Sequence, residues 1–417
     1  MRVFKFGGAS VKDADAVKNV ASIIGRYNDR PLIVVVSAMA KTTNALEAVV
    51  HAWVNNTGNA LSLFTDVMTF HRDIANQLFS SPNQDLVRFF EELETETTSL
   101  LSAPAFEPFG KAYDAIVHKG ELLSTKIIAN YLQVQGQKCT WVDTRKCVIT
   151  NNAHRRATVN WEATTEKIKA RITEPAIYLV QGFIGSTPAG VATTLGREGS
   201  DYTASVFAHV LEAVEVCIWK DVPGVLNGDP KVFNNAILLE EISYREAIEL
   251  AYYGASVIHP KTIQPLQHKN IPLYVRSFLH PELPGTVIKE GLLLKPLVPC
   301  YIRKTEQSLI SVSTRDLAFI VEEHLQLIYS IFHTHGLTVN TNQSSAISSS
   351  FCVNNDPIIL PRVLADLNQH FDVKTNSNLE LYTIRHHSPQ TRQAICGDRK
   401  PLLEQITRET YQVVLNS

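Results

Sequence analysis

The sequence predicts an α/β catalytic domain followed by a smaller α+β region. Strand-like and helix-like segments alternate over about the first 290 residues, which is typical of a three-layer α/β domain with a mostly parallel central sheet. Prolines and a glycine at positions 281, 284, 285, 296 and 299 then indicate a linker. Beyond the linker the pattern becomes β-α-β-β-α-β, a ferredoxin-like arrangement.

Length and composition set the broad class. The 417 residues exceed one ordinary domain. Apolar residues make up 45% and charged residues 19%, a usual globular balance. The net charge of -2 provides no overall basic field, so we expect neither nucleic acid nor a membrane as a partner.

Compartment and redox state follow from the cysteines and the N-terminus. The six cysteines include no C-x-x-C pair, which favours buried free thiols over a disulfide framework or a zinc site. The first residues lack the apolar core and cleavage region of a signal peptide. The longest strongly apolar stretch, Leu32–Ala40, is about half of a membrane span. We therefore expect a cytoplasmic protein.

Several elements of the first domain can be predicted individually. Val3–Phe6 is a short strand, and the β-branched run Leu32–Val36 is typical of a strand buried on both faces. Thr43 and Asn44 are suited to cap the next helix. Residues 60–110 have the pattern of a helical insertion, whose glutamates we interpret as a solvated face. Further strands are predicted at 139–142, 176–181, 191–194, 214–219 and 272–275, and helices at 120–135, 201–211 and 244–251.

After the linker we predict one complete ferredoxin-like unit and part of a second. The first has strands at 309–312, 337–341 and 348–353 and from 373, with helices at 317–335 and 358–371. The second has a strand at 379–385, a helix at 390–396, and a hairpin at 402–406 and 411–415. The predicted domains are 1–290, 300–378 and 379–417.

Four turns with glycine or serine follow strands or open helices: Lys5–Ser10, Ser37–Met39, Gly182–Gly185 and Gly196–Asp201. One such turn would be weak evidence, because glycine is the default residue of any tight turn. Four at the strand ends of one α/β sheet indicate an anion-binding crevice lined with backbone N–H groups. The sequence has neither the P-loop motif nor the protein-kinase motifs.

These turns carry a specific family resemblance. Lys5–Val11 resembles the K-F-G-G-[TS]-S-V opening of aspartate kinases, and Gly196–Ala204 resembles their G-R-G-G-S-D-Y-T-A motif. Further motifs match in the expected order at 36–38, 120–121, 181–185, 219–225, 229–230 and 253–260. The match spans the first 290 residues, and the tail resembles the family's paired ACT regulatory domains.

The resemblance implies transfer of the γ-phosphate of ATP to the β-carboxylate of L-aspartate. The product would be 4-phospho-L-aspartate, in the first step of lysine, threonine and methionine biosynthesis. The implied catalytic residues are Lys5, Gly8 and Asp201, and the implied substrate-binding residues are Ser37, Thr43, Glu121, Arg197 and Ser200. The cation of Lys5 suits a transferring phosphate, Glu121 suits the substrate ammonium, and Arg197 can grip a carboxylate with two hydrogen bonds.

The nucleotide site is implied in the same way. Its residues are Gly7, Ser10, Lys220, Asp221, Gly224, Asp229 and Lys261. Mg²⁺ would bridge the phosphates, without a dedicated set of protein ligands. No general base is required, because a β-carboxyl with a pKa of about 3.9 is already ionised at neutral pH.

Departures from the family pattern affect the nucleotide site and regulation. Glu198 stands where glycine is usual, Lys220 replaces a small hydroxyl residue, and Ser256 stands where many relatives carry lysine, a role that Lys261 or Lys220 could take over. Glu322–Leu325 and Asn342–Ile347 lack the glycine and the glutamate of the usual lysine-binding segments. We therefore hypothesise a weakened or different response to an amino-acid effector at the ACT region.

Three alternative functions fit the sequence less well than an aspartate kinase. A kinase of the same fold that acts on another acceptor, such as acetylglutamate, fits less well because acetylation removes the charge that Glu121 would pair with. A non-catalytic ACT-type amino-acid sensor fits less well because Lys5, Arg197 and Asp201 are retained. A fusion with homoserine dehydrogenase is not expected, since no G-x-G-x-x-G domain follows. Exposed sheet edges favour a homodimer or a higher homo-oligomer.

Overall fold

The computed structural model describes residues 1–255 and 258–417. The chain divides into two compact units. The larger unit comprises Met1–Val225, Leu238–Ile248 and Ile258–Leu293. The smaller unit comprises Leu294–Ser417 together with Leu226–Ile237 and a short segment that begins at Glu249.

Strands and helices alternate along the chain up to residue 293. The strands are β1 (Arg2–Phe6), β2 (Leu32–Val36), β3 (Cys139–Val142), β4 (Ile177–Gln181), β5 (Ile184–Ser186), β6 (Ala192–Thr194), β7 (Glu215–Lys220), β8 (Glu241–Ile242), β9 (Leu273–Ser277) and β10 (Thr286–Ile288). The helices are α1 (Ala14–Gly25), α2 (Thr42–Val54), α3 (Ala60–Leu78), α4 (Gln84–Leu101), α5 (Phe109–Val117), α6 (Lys119–Val134), α7 (Trp161–Arg171), α8 (Gly199–Val210), α9 (Tyr244–Tyr253) and α10 (Pro260–His268).

The central sheet has the strand order β3-β4-β2-β1-β7-β9-β10-β8. Its neighbouring strands are parallel except for the β9–β10 pair. The predicted α/β fold with a mostly parallel sheet is therefore confirmed. The strand predicted at 191–194 lies outside this sheet, because β6 pairs with β5 in a separate antiparallel ladder.

The core of the larger unit lies against both faces of this sheet. Every residue of β2 is buried, as the continuous β-branched run predicts. Phe6 stacks on Trp219, with ring centroids 5.9 Å apart, and both belong to the main core cluster. The predicted insertion is helical, and Phe64 of α3 is buried in the same cluster. Its glutamates include Glu96, which is mostly exposed and pairs with Lys119.

The smaller unit contains one antiparallel sheet in the order β12-β13-β11-β14-β16-β15. Its strands are β11 (Cys300–Ser313), β12 (Val339–Ser344), β13 (Ser348–Asn354), β14 (Asp372–Arg385), β15 (Leu403–Ile406) and β16 (Thr410–Asn416). Its helices are α11 (Glu322–His335), α12 (Ile359–His370) and α13 (Pro389–Cys396). The predicted ferredoxin-like α+β region is confirmed.

Two predictions for this region require correction. The strands predicted from 373 and at 379–385 are one continuous strand, β14, so residue 378 lies within a strand. The helix predicted from Leu317 begins only at Glu322. Leu317 has a φ of +59°, and a left-handed residue cannot continue a right-handed helix.

Cysteines and membrane spans can be assessed directly. Cys139, Cys147, Cys217 and Cys352 are buried free thiols. Among the described residues, no helix combines the length and apolar character needed to cross a membrane.

Candidate active site

The register of the parallel sheet aligns the ends of its central strands. Phe6 of β1 pairs with Val36 of β2 and with Trp219 of β7, and Val36 pairs with Gln181 of β4. The residues that follow these strands therefore meet at the carboxyl edge of the sheet, where open α/β sheets bind ligands. This alignment brings together three of the four turns that the sequence marked.

A cavity of about 520 Å³ opens at this edge. Its lining contains residues that the sequence predicted for catalysis, substrate binding or nucleotide binding: Lys5, Ser37, Thr43, Glu121, Arg197, Ser200, Asp201 and Lys220. It also contains Tyr113, Arg155, Phe183, Gly196, Glu198 and Gly199. Cationic and anionic side chains thus share one concave surface, as an amino-acid substrate with both signs of charge requires.

Lys5 and Asp201 form an ion pair inside the cavity, with 2.6 Å between Nζ and Oδ1. Lys5 is the penultimate residue of β1, and Asp201 lies in the first turn of α8. Their side chains are only 12% and 4% exposed, so the pair is shielded from bulk water. The ion pair holds a cation at the edge where a phosphate would meet the start of a helix.

The turn after β1 supports Lys5 rather than lining the cavity. A Cβ on Gly8 would lie 2.8 Å from the carbonyl oxygens of both Ala38 and Ala40, so only glycine fits there. The Ala40 N–H donates to the Gly8 carbonyl at 3.1 Å. Gly7 adjoins the Lys5 ammonium, and Ser10 is buried. Gly7, Gly8 and Ser10 are therefore next to the site, but outside the residues that line it.

Glu121 is the most buried carboxylate of the lining, at 2% exposure. Oε1 accepts a long hydrogen bond of 3.4 Å from the Ala38 N–H, and Oε2 has no hydrogen-bond partner among the described residues. Burial raises the pKa of Glu121 to about 8, despite backbone hydrogen bonds that favour the ionised form. An unpaired buried carboxyl oxygen in a substrate-sized cavity is suited to receive a cation.

The start of α8 carries four residues of the lining: the N-cap Glu198, and Gly199, Ser200 and Asp201 in the first turn. Glu198 has a φ of +51°, and its Oε2 accepts a hydrogen bond of 2.8 Å from the backbone N–H of His259. His259 in turn caps α10 with its Nδ1, which accepts from the Lys261 N–H.

The remaining predicted substrate residues lie on three elements. Arg197 is exposed in the turn between β6 and α8, and it forms no ion pair or hydrogen bond with the rest of the described chain. Ser37 follows β2, and its carbonyl accepts from the Ser124 hydroxyl at 2.8 Å. Thr43 lies inside α2, which begins one residue earlier with Lys41 as its N-cap, so the predicted Thr43–Asn44 cap is wrong.

The predicted nucleotide residues are only partly brought to the cavity. Lys220 lines it, whereas Asp221 is exposed outside the lining. A Cβ on Gly224 would lie 2.5 Å from the Thr286 hydroxyl, so glycine permits this close packing. Lys261 lies outside the lining, with its ammonium 4.4 Å from the centroid of the Tyr202 ring.

Two further residues of the nucleotide prediction lie elsewhere. Asp229 belongs to the smaller unit, where its carboxylate accepts from the Lys231 N–H at 2.9 Å. Ser256 lies outside the described residues. No group of three or more histidine, cysteine, aspartate or glutamate side chains that could hold a metal ion occurs in 1–255 and 258–417.

Sequence reasoning missed three residues that line the cavity: Tyr113, Arg155 and Phe183. Phe183 lies within the family motif at 181–185, and its φ of +70° marks a tight turn. Tyr113 lies on α5, just after the predicted insertion, and burial raises the pKa of its hydroxyl to about 12. Arg155 has a φ of +66° in a segment without a motif, so no local signal identified it.

Comparison with known proteins gives the family. The profile of the amino acid kinase family matches residues 1–277. The bifunctional aspartokinase/homoserine dehydrogenase 1 of Zea mays is 33% identical over 298 residues, covering 69% of this chain and 32% of that protein. The chain thus spans about a third of the length of these plant relatives. Lysine-sensitive aspartokinase 3 of Escherichia coli is 30% identical over 403 residues, covering 92% of this chain and 86% of that protein.

Solved structures agree with these relatives. Escherichia coli aspartokinase III in complex with aspartate and ADP, in its R-state, superposes with a TM-score of 0.81 at 27% identity. The alignment covers 100% of this chain and 96% of that one. The same enzyme in complex with lysine and aspartate, in its T-state, gives the same values. The family profile matches most of the larger unit, and a known aspartokinase is similar along nearly the whole chain. The chain therefore belongs to the amino acid kinase family and, within it, to the aspartokinases.

Proposed function

We propose that this protein is an aspartate kinase, which transfers the γ-phosphate of ATP to the β-carboxylate of L-aspartate and yields 4-phospho-L-aspartate and ADP. The observation that carries the proposal is Glu121, a buried carboxyl with an unpartnered oxygen in a cavity that also holds the Lys5–Asp201 pair. An ammonium beside Glu121 would satisfy that oxygen. Aspartate supplies the ammonium and the reacting carboxylate in one molecule.

The chemical step is an in-line displacement. A β-carboxylate oxygen forms a bond to the γ-phosphorus while the bond between that phosphorus and the β–γ bridging oxygen breaks, and ADP leaves with the electron pair. The acceptor is already ionised at neutral pH, so no residue has to remove a proton. Catalysis then consists of holding two anions together and offsetting the charge that develops between them.

Individual residues take distinct parts in this step. Lys5, oriented by Asp201, offsets charge on the transferring phosphoryl group. Arg197 binds a carboxylate of the acceptor, and Ser37, Thr43 and Ser200 supply hydroxyl groups to its polar atoms. Gly7, Gly8 and Ser10 shape the turn beneath the phosphates, and Lys220 adds a cation toward the nucleotide. Asp221, Gly224, Asp229 and Lys261 remain proposed nucleotide contacts.

Mg²⁺ fits this donor set as an ion that arrives with the nucleotide. Magnesium keeps several waters and is usually held by one or two carboxylates together with substrate phosphates. The lining offers Asp201 on the phosphate side, and Asp221 lies just beyond β7. When bound, the ion would neutralise part of the phosphate charge.

A coupled assay of ADP formation tests the proposal, with aspartate, glutamate and acetylglutamate compared as acceptors. We expect turnover with aspartate and at most weak turnover with the other two. Absence of aspartate-dependent turnover would refute the proposal. Preference for acetylglutamate would favour a kinase of the same fold with an N-acylated acceptor, and binding of amino acids without any turnover would favour a sensor.

Regulation is proposed to differ from that of the lysine-sensitive relative. The segment Glu322–Leu325 opens α11 without a glycine, and Asn342–Ile347 lacks the glutamate of the usual motif. We expect a weakened or different effector response at the ACT-like region. Equilibrium binding of lysine, threonine and methionine tests this, and micromolar lysine affinity would contradict it. A homodimer and a cytoplasmic location stay predictions.

A further inference from the structure

Arg155 reaches the cavity from a segment that no motif marked. The Ala157 N–H donates to the Thr194 carbonyl at 2.9 Å, so this segment runs alongside the end of β6. The backbones of Gly196 and Arg155 are in close contact, since a Cβ on Gly196 would lie 3.1 Å from the Arg155 carbonyl oxygen. Gly196 directly precedes Arg197. The two arginines therefore rise from adjoining stretches of backbone, and both line the cavity.

A buried carboxylate fixes the backbone of Arg155. Asp114 of α5 has no exposed surface, and both of its oxygens lie 3.2 Å from the Arg155 N–H. The Thr194 hydroxyl donates to Oδ1 at 2.6 Å, and His154 Nδ1 lies 2.7 Å from Oδ2. These contacts join α5, β6 and the Arg155 segment. They hold Arg155 in a left-handed conformation that a side-chain-bearing residue rarely adopts.

The Arg155 side chain is exposed and lines the same cavity as Glu121. Its guanidinium stands 4.8 Å from the centroid of the Tyr113 ring and 5.4 Å from that of Phe109. The Tyr113 hydroxyl is within electrostatic range of both Arg155 and Glu121. No carboxylate of the described chain forms an ion pair with the guanidinium. A cation without an ion-pair partner, on a backbone held by Asp114, thus lines the cavity that is proposed to hold the acceptor.

The acceptor has one ammonium and two carboxylates. Glu121 is assigned to the ammonium, and Arg197 is so far the one cation assigned to an acceptor carboxylate. Lys5 is paired with Asp201 and serves the phosphoryl group. We infer that Arg155 is a specificity-determining residue, which binds the non-reacting α-carboxylate of the substrate together with Arg197. This inference rests on the proposed aspartate kinase function. Two guanidinium groups on one carboxylate would select acceptors with two carboxylates over monocarboxylates and fix which carboxylate reacts.

Steady-state kinetics with two acceptors test the inference. The substitution is Arg155→Gly, because glycine adopts a φ of +66° without strain and the fold is kept. The acceptors are L-aspartate and aspartate α-amide, which lacks the α-carboxylate charge. We expect the KM for aspartate to rise about 10- to 100-fold with kcat within about threefold, because the contact is uniform binding. The α-amide should change by less than about threefold, since it cannot use the guanidinium.

Two further variants provide controls. Arg156→Ala removes the neighbouring exposed arginine, which does not line the cavity, and should leave both KM values unchanged. Arg155→Lys should recover part of the aspartate affinity, because it keeps the charge but not the two parallel hydrogen bonds. The KM for ATP should not respond to any of these changes.

Each contrary result has a defined meaning. Three results would overturn the role of Arg155: an equal rise in KM for aspartate and its α-amide, a rise confined to the KM for ATP, or no change. In each case, turnover by the wild type would still support the kinase function. If the wild type neither turns over nor binds aspartate in calorimetry, the proposed function fails, and the inference fails with it.

Discussion

The Glu198 carboxylate accepts a hydrogen bond from the backbone N–H of His259, with 2.8 Å between Oε2 and N. Glycine is usual at this position of the family motif, and Glu198 adds a negative charge beside the site proposed for two anions. Part of that charge is directed at a backbone donor at the start of α10. The backbone is left-handed at this position, with a φ of +51° that favours glycine. This departure from the family motif therefore has both a cost and a compensation.

Replacing Glu198 by alanine and by glycine separates these two effects. Both variants lose the charge-assisted hydrogen bond, which we expect to cost about 1.5–3 kcal/mol. Glycine also relieves the left-handed conformation, which costs other residues about 1 kcal/mol. Glu198→Gly should therefore be more stable than Glu198→Ala by about that amount in urea denaturation. Equal stability of the two variants would contradict the left-handed assignment.

Lys5→Ala should lower kcat by at least about 100-fold, in line with losses of 10²–10³ for removal of one transition-state donor. The same change leaves Asp201, at 4% exposure, without its cation, so the variant should also be less stable. Kinetics and denaturation of the same preparation check both outcomes. The control is Lys18→Ala on the exposed face of α1, which should alter neither. A change confined to KM would contradict the proposed role of Lys5.

Aspartate binding at pH 7 should release close to one proton. Glu121 has a pKa raised to about 8 by burial, so it is mostly protonated in the free protein at that pH. The substrate ammonium favours the ionised form and displaces the proton. Calorimetry in buffers of different ionisation enthalpy measures the release. Glu121→Gln should bind aspartate more weakly and release no proton, and equal release by the variant would assign the proton to another group.

Glu121 also gives the ligand-free protein a specific pH dependence. Its pKa is raised in the folded state above the ordinary value of 4.5, so the folded protein holds the proton more tightly than the unfolded chain. Stability should therefore fall as the pH rises from about 4.5 to about 8, by at most about 1.4 kcal/mol per unit. Glu121→Gln should reduce this fall in urea denaturation between pH 5 and pH 8. An unchanged slope would argue against the raised pKa.

Gly8→Ala should destabilise the protein by about 1–3 kcal/mol and lower turnover, because its Cβ would meet two backbone carbonyls that cannot move aside. Gly7→Ala is the matched comparison for stability. A Cβ there would lie 3.4 Å from the Lys5 ammonium, an ordinary van der Waals distance, and Gly7 has an extended backbone. Thermal unfolding should distinguish the two variants, and equal melting temperatures would contradict the close approach at Gly8.

Much of the site could be predicted because its residues follow strand ends within short motifs. Lys5 lies in β1, Ser37 follows β2 and Lys220 ends β7, and the parallel register brings these strand ends together. Prediction was weaker at the ends of helices, where a single residue decides the boundary. The helix predicted from Leu317 begins later because that residue is left-handed, and the cap assigned to Thr43 lies two residues beyond the actual N-cap, Lys41.

The alternation of strands and helices, the chemistry of the motif residues and the family could all be predicted from the amino-acid sequence. Local patterns suffice for these, because hydrophobic periodicity and turn residues act over a few positions. The set of side chains that share the cavity depends instead on the folded arrangement of the chain. Arg155 depends on Asp114, 41 positions earlier, and Glu198 depends on His259, 61 positions later. A buried carboxylate or a backbone donor selects its partner by position in space, which no sequence spacing encodes.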